Sequence, residues 1–404
     1  MGMQGTVWAP IEEQSRASGG NWTPNTPEEG RNVICCGTMA DRIAPLEMCR
    51  VQVHYLLAQP NQPDQQGAPA QASQAINAVG RVVLAVSDFD GVHNEHRRLI
   101  AQTRQLARQL GAQPVALTFW PLPGIASDFD GPQVSAGRLL TTLDERLELL
   151  SALATAGDDP PLAAVYVAPF NAELARRLNS REALLAQVDR WFGQGCAQAT
   201  LCSIADMSVD TSVDMSGLEY APLASFVELH GDDASFLAPD AAESVSIAPA
   251  THARLRTLIS DGRLTEATQQ LGYPYRLHGV VGSGDQRGRL LGFPTANLRC
   301  DPRKMLPDNG VYAVRVRLPG ERTFTHAGAA NVGVRPMFVV EGQTPPRLVE
   351  IYLLDAAIDL YGLTIGVEFV ARLRAEMRFS GEHALDDLVA QMARDIEQTR
   401  QALS

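Results

Sequence analysis

Lysine is almost missing from this chain: its 34 Lys and Arg residues include one lysine, Lys304. Lys304 sits in DPRKML with no glycine run before it, which excludes a GxxxxGK[ST] phosphate loop. Any phosphate must be held by arginine, by backbone N–H groups or through a metal ion. The six cysteines (35, 36, 49, 196, 202 and 300) form no CxxC pair and no metal-ligand spacing. No run approaches the ~18 apolar residues that a membrane helix needs, so no span and no membrane partner are expected. The opening MGMQGTVWAPIEEQ lacks both a basic start and an apolar signal core, so a cytoplasmic protein with reduced thiols is expected. Positive charge is also short. A formal net charge of −12 excludes the basic field that nonspecific nucleic-acid binding requires.

What is present is ordinary globular composition, 45% hydrophobic and 20% charged over 404 residues, enough for two or three domains. Residues 1–48 read as an extension without a packed core, rich in Gly, Pro, Asn and Ser, and a second such stretch near 58–78 reads as a long loop. A short strand is expected at 50–57. From residue 81 apolar runs alternate with helical periodicity: RVVLAV, then HRRLIAQTRQLARQLG closed by Gly111, PVALTF, TLDERLELLSALATAG, AAVYVAPF and SREALLAQVDRWFGQG. Strands separated by helices predict a parallel, Rossmann-like α/β sheet over 49–245. A connecting helical segment follows at 246–273, with one helix over roughly 253–272. After it the period shifts to two in YRLHGVVGSG, GVYAVRVRL, FTHAGAANVG, RLVEIYLLD and TIGVEFVARL, which predicts a β-barrel over 274–404 with a closing amphipathic helix.

Within the barrel segment, GVVGSGDQRGRLLGFPTANL (279–298) concentrates glycine at 282, 284 and 288, where backbone N–H groups can approach a ligand closely. Pro294 stiffens the exit, so that Thr295 and Asn297 project from a fixed backbone. Their oxygens are hard donors of the kind Mg²⁺ takes when it is shared with substrate phosphates. A plain glycine-rich hairpin is the alternative.

GRLLGFPTANL, followed in order by LPDNGVYAV, NVGVRPMF, VEIYLLD and DLYGLTIGVEFVARLRAEMRF, resembles the riboflavin kinase family, including the bacterial bifunctional riboflavin kinase/FMN adenylyltransferases. The resemblance implies transfer of the γ-phosphoryl group of ATP to the 5′-hydroxyl of riboflavin, giving FMN, with Mg²⁺ as cofactor. It implies Glu350 as general base and Thr295 and Asn297 as holders of Mg²⁺ and phosphate oxygens. Gly282, Gly288 and Arg289 match the phosphate-covering flap, and Asn331 and Arg335 match a family loop. Phe293, Arg372 and Arg374 are candidate flavin neighbours; core packing for Phe293 and a solvated helix face for the arginines are the alternatives.

The same family places a nucleotidyltransferase domain first. DFDGVHNEH (88–96) resembles its strand–loop–helix motif, in which two histidines at a helix mouth bind nucleotide phosphates and a glycine between them permits close approach. Here that glycine is Glu95, between His93 and His96. Two like charges ~4 Å apart at an effective dielectric near 20 repel by roughly 4 kcal/mol. Three more departures follow: Leu122 for a histidine in TFWPLP, only Asp206 kept in SIADMSVD, and only Thr251 and Arg256 kept in THARLR. These four changes predict an impaired adenylyltransferase beside an intact kinase. A bifunctional enzyme making FMN and FAD is the alternative, and a non-catalytic flavin-binding protein a third reading. A metal site is not expected at His93 and His96, because the pair supplies at most two ligands and no third histidine or cysteine lies near in sequence.

Overall fold

VVLAV becomes strand β2 (Val82–Val86), and every one of its residues is buried, as a central parallel strand covered on both faces requires. The computed structural model describes residues 51–56, 80–122, 139–153, 160–170, 174, 181–193, 197–202, 226–229, 250–282, 292–334, 347–356, 358–380 and 382–404. The expected extension 1–48, the loop near 58–78 and the boundary at 245/246 lie outside these residues, as do Asp206, Gly288, Arg289 and Arg335.

β1 (Gln52–Tyr55), β3 (Gln113–Trp120), β4 (Ala164–Pro169), β5 (Ala197–Cys202) and β6 (Phe226–Leu229) complete a six-stranded sheet in the order β1-β4-β3-β2-β5-β6. All neighbours are parallel except β6, which runs antiparallel to β5. Helix α1 (Asn94–Leu110) ends at Gly111, whose left-handed φ of 59° lets its N–H reach the carbonyls of Ala107 and Arg108. Helices α2 (Leu143–Leu153) and α3 (Arg181–Phe192) follow β3 and β4. On one sheet face Leu84, Leu117 and Tyr166 pack with Leu184 and Phe192. On the other, Val83, Ala85, Ala116 and Val165 join a core that runs on into the barrel through Leu258, Leu271 and Tyr275.

The single connecting helix expected over 253–272 is two: α4 (Ala250–Ser260) and α5 (Leu264–Leu271). Gly262 adopts φ +70°, and the N–H groups of Gly262 and Arg263 turn back onto Ile259 and Leu258, which ends α4. The barrel is closed and antiparallel, in the order β10-β11-β8-β7-β12-β9. Its strands are β7 (Tyr275–Gly282), β8 (Ala296–Cys300), β9 (Gly310–Arg317), β10 (His326–Val334), β11 (Arg347–Leu353) and β12 (Thr364–Arg374). β8 is too short to register in the period-two pattern. It follows Pro294 and closes the gap between β11 and β7. Helix α6 (Ala384–Leu403) packs on β9, β10 and β12. Among the described residues, no helix is long and apolar enough to cross a membrane.

Sheet and barrel meet at the one lysine. Lys304, 2% exposed, donates to Glu145 Oε2 at 2.6 Å and to the Leu140 carbonyl, and its ammonium lies 4.6 Å from the Tyr275 ring centre. Glu145 is itself the return arm of a capping box at the start of α2. Its Oε2 accepts from Thr142 N–H at 2.9 Å while Thr142 Oγ1 accepts from Glu145 N–H at 3.3 Å. Its Oε1 accepts the His278 N–H from β7 at 2.9 Å. Leu139 pairs with the Arg303–Met305 backbone alongside, and Arg317 of β9 makes a two-pronged ion pair with Glu148 of α2 at 2.5 and 2.8 Å. Lys304→Met strands the buried Glu145 carboxylate and is expected to cost about 3–5 kcal/mol of stability. The Lys304→Met/Glu145→Leu double variant removes the stranded charge but also the acceptor of the Thr142 and His278 N–H groups, so it should recover only part of the loss. Urea unfolding measures both, and an equal loss in the double variant would overturn the assignment.

Candidate functional site

Two groups of polar residues stand out. The first lies beyond the C-terminal end of β2, where an open parallel sheet offers its crevice. Between β2 and α1 the chain makes a tight turn with Phe89, Gly91 and Val92 all at positive φ (54°, 80° and 37°). A Cβ on Gly91 would stand 3.1 Å from the Leu140 side chain, so this backbone also packs closely. Asp90 secures the turn. Its fully buried carboxylate accepts Thr141 N–H at 2.8 Å, Leu140 N–H at 3.1 Å, Thr141 Oγ1–H at 3.0 Å and Arg256 Nη2–H at 3.3 Å. Arg146, wholly buried, donates to Thr118 Oγ1 and to the Phe119 carbonyl beneath it. Burial lowers its pKa against the pull of Asp90 and Asp88.

His93 opens α1 and His96 follows in its first turn. α4 brings His252 to them, and all three rings are buried. His93 Nε2 and His252 Nε2 are 3.2 Å apart. His96 Nε2 lies 3.1 Å from Ser87 Oγ and 3.5 Å from Asp88 Oδ1; His252 Nε2 lies 3.7 Å from the same Asp88 oxygen. Burial disfavours the Asp88 carboxylate, yet the His252 and His96 imidazoles and the Asp90 N–H hold it well below the usual carboxylate range. His93 is pushed well below the ordinary imidazole value by burial, then by His96 and His252, and burial also lowers His96. Both rings are therefore held toward the neutral form.

The structure thus gathers His93, Glu95, His96, Thr251 and Arg256 in one place. It also turns Glu95 sideways: its Oε2 accepts a hydrogen bond from Thr251 Oγ1 at 3.1 Å, so a residue kept from the family motif satisfies one that departs from it. Leu122, the replacement for the family histidine, is 3% exposed and packs on Leu139 and Trp120. Sequence reasoning missed Asp88, Asp90, Arg146 and above all His252. His252 was legible as a histidine inside THARLR, but lies 156 residues from His96.

The second group lies on the barrel. Asn297 of β8, Glu350 of β11 and Asn331 of β10 are register partners across three adjacent strands, so their side chains leave the same face. Asn297 is 9% exposed, and its Oδ1 has no hydrogen-bond partner among the described residues. Thr295 is half-buried just before β8, and the Phe293 ring meets the Tyr352 ring edge-on at 5.8 Å. Gly282 pairs with Asn297, and the Arg299 side chain lies against the face a Cβ would occupy. Arg372 and Arg374 belong to strand β12 rather than to a helix face. Arg372 donates to Asp308 Oδ2 at 2.5 Å and to the Asn309 carbonyl, and Arg374 grips Asp395 of α6 at 2.7 and 2.9 Å.

Two family models match the chain: riboflavin kinase over residues 271–403 and FAD synthetase over 76–182. The bifunctional riboflavin kinase/FMN adenylyltransferase of Listeria monocytogenes is 32% identical over 319 residues, covering 79% of this chain and 91% of that protein. The protein of the same description from Escherichia coli K12 is 32% identical over 321 residues, covering 78% and 90%. A crystal structure described as a macrolide-efflux protein from Streptococcus pneumoniae shares the fold, with a TM-score of 0.58 and 23% identity over 81% of this chain and 96% of that one. The FAD synthetase match includes the HNEH segment itself, so the expectation of an impaired N-terminal domain finds no support here, and the bifunctional alternative is the better backed. This chain belongs to the bifunctional riboflavin kinase/FMN adenylyltransferase family, and it is a riboflavin kinase.

Proposed function

We propose that the chain makes both FMN and FAD: the barrel phosphorylates riboflavin, and the parallel-sheet domain transfers the adenylyl group of a second ATP onto the FMN. The observation that carries this reading is the coverage of both family models and of most of each bifunctional relative. Riboflavin kinases use ATP and a divalent metal, and we assign Mg²⁺ here. The orphaned, buried Oδ1 of Asn297 is an oxygen donor of the hard type that Mg²⁺ takes. Asn297 and Thr295 are the proposed holders of that ion, which when bound neutralises charge on the phosphate oxygens.

The rest falls to the chain's own groups. Glu350 takes the proton of the riboflavin 5′-hydroxyl as its oxygen bonds to the γ-phosphorus and the bond to the β,γ-bridging oxygen breaks, releasing ADP. The pairing of Glu350 with Asn297 sets base and phosphate holder side by side on neighbouring strands. Gly282, Gly288 and Arg289 are proposed to cover the phosphates, and Phe293 to wall the flavin. The contacts of Arg374 with α6, and of Arg372 with the Asp308–Asn309 turn, support anchoring roles for these two arginines. In the other domain, His93, His96 and Arg256 are proposed to face ATP phosphates while the FMN phosphate attacks the α-phosphorus and pyrophosphate leaves. The hydrogen bond from Thr251 holds the Glu95 carboxylate aside. Domain limits of 49–245, 246–273 and 274–404 are proposed with this division of labour.

Glu350→Gln is expected to lower the rate of FMN formation by about 10²–10⁴, the usual worth of a general base, with ATP binding retained. Chromatography of the flavins and nucleotide titration check it, and parental turnover would remove Glu350 from this role. Supplied with FMN and ATP, the protein should form FAD and pyrophosphate. FMN from riboflavin with no FAD from FMN would confine the activity to the barrel. Thr251→Ala releases Glu95 and should raise the KM for ATP in the FAD step without changing FMN formation. An unaltered KM would show that the Thr251 contact does not control Glu95.

A further inference from the structure

Asn331 stands beside Glu350 on the outer face of the barrel. In β10 the wholly buried Ala330 and Val332 point into the core, so Asn331 and Gly333 share the opposite face. Register sets Asn331 directly against Glu350 of β11, with Asn297 of β8 on the far side of Glu350. Gly333 lies two residues on, ~6.6 Å further along the strand. A Cβ at Gly333 would stand 3.0 Å from Glu376 Oε1 and 3.5 Å from Asn331 Nδ2. The bare glycine therefore leaves a strip of open backbone, with an amide donor at one edge and a carboxylate acceptor at the other.

Glu376 follows β12 and is exposed, yet its carboxylate is held from behind. Asn309 Nδ2 donates to Glu376 Oε2 at 3.3 Å. Asn309 is itself fixed twice: its Oδ1 accepts from Arg347 Nε at 3.1 Å, and its backbone carbonyl accepts from Arg372 Nη2 at 2.8 Å. Arg347 in turn donates to the Leu306 and Pro307 carbonyls. One carboxylate oxygen is thus taken by an anchored amide, while Oε1 faces the strip above Gly333. A surface glutamate ordinarily samples many rotamers. This one is preorganised by a layer of hydrogen bonds behind it, as groups that hold a ligand need to be.

We propose that Asn331 and Glu376 bind the secondary hydroxyls of the ribityl chain of riboflavin, Asn331 donating to one hydroxyl oxygen and Glu376 Oε1 accepting from another. Each hydroxyl offers one O–H and two lone pairs, so a donor and an acceptor side by side suit neighbouring hydroxyls of a polyol. With the 5′-hydroxyl at Glu350, the rest of the chain runs along β10 towards Gly333, where a side chain would stand in its path. The inference rests on the placing of the 5′-hydroxyl proposed above. It adds to that placing the residues that select a polyol chain over a plain hydroxyalkyl one. Neither residue takes part in making or breaking a bond.

The test compares two flavins on the full chain. One is riboflavin; the other carries a 5-hydroxypentyl chain, which keeps the terminal hydroxyl and lacks the secondary ones. Glu376→Ala should raise the KM for riboflavin about 10–100-fold, as loss of a hydrogen bond to a charged group does, with a smaller change in kcat. The same variant should leave the inhibition constant of the hydroxypentyl flavin, measured against riboflavin, at the wild-type value. An unchanged KM for riboflavin would overturn the proposal. An equal loss for both flavins would reduce Glu376 to a support for Asn309 and overturn it too, as would wild-type protein that binds both flavins equally well. Asn331→Ala gives the same comparison from the other edge of the strip, should Glu376→Ala not fold. The base is tested by kcat in Glu350→Gln and the chain by the ratio of the two flavins, so each assignment can fail alone.

Discussion

A buried lysine–glutamate pair joins the two halves of this enzyme, and much else follows from it. Lys304 comes from the barrel and Glu145 from α2, and both side chains are almost without solvent. Removing an ion pair from water is expensive, and what offsets it is a full set of further hydrogen bonds. Glu145 has that set: its own helix cap, the lysine and a backbone N–H of β7. Lys304 has the Leu140 carbonyl and the Tyr275 ring as well. Because every donor and acceptor is used, the pair specifies one seating of sheet on barrel, where an apolar contact would tolerate several.

That seating builds the N-terminal crevice. The capping box that fixes Glu145 also fixes Thr141 and Leu140 just before it, and these two present the N–H groups that hold Asp90. Asp90 in turn holds a turn in which three residues occupy the left-handed region, a conformation that costs energy outside glycine and persists only where the surroundings demand it. From the approach to the barrel, Tyr273 donates to the Gly91 carbonyl, and in the other direction Asn94 of α1 donates to the Gln269 carbonyl of α5. The start of α1, proposed above to face phosphate, is therefore set partly by residues that belong to the approach to the kinase domain. This gives a physical reason for the two domains to travel in one chain.

Local pattern made the elements legible. VVLAV, the helix closed by Gly111, and the period-two runs of the barrel all lie within a residue or two of where their spacing puts them. Failures came where a single residue overrode the pattern. Gly262 turned one amphipathic stretch into two helices, and the five residues of β8 were too few to show a period. Lys304 was legible as a rarity, but only as something that could not bind phosphate. Its partner lies 159 residues away, and nothing in linear spacing connects them.

The site divides along the same line. In the barrel, the motifs GFPTANL and VEIYLLD set Asn297 and Glu350 between apolar neighbours, and period-two geometry alone turns each away from the face those neighbours share. The barrel then needed only to set those strands side by side. In the crevice, the sequence supplied single positions judged against a motif, and judged one at a time they read as losses. Glu95 for glycine looks like damage until α4 crosses α1, when the hydroxyl of the retained Thr251 meets the carboxylate. The histidine beside Thr251 then completes a cluster that no spacing rule could assemble. A substitution measured against a family pattern states what has been removed. Only the packing of its new side chain states what it has become.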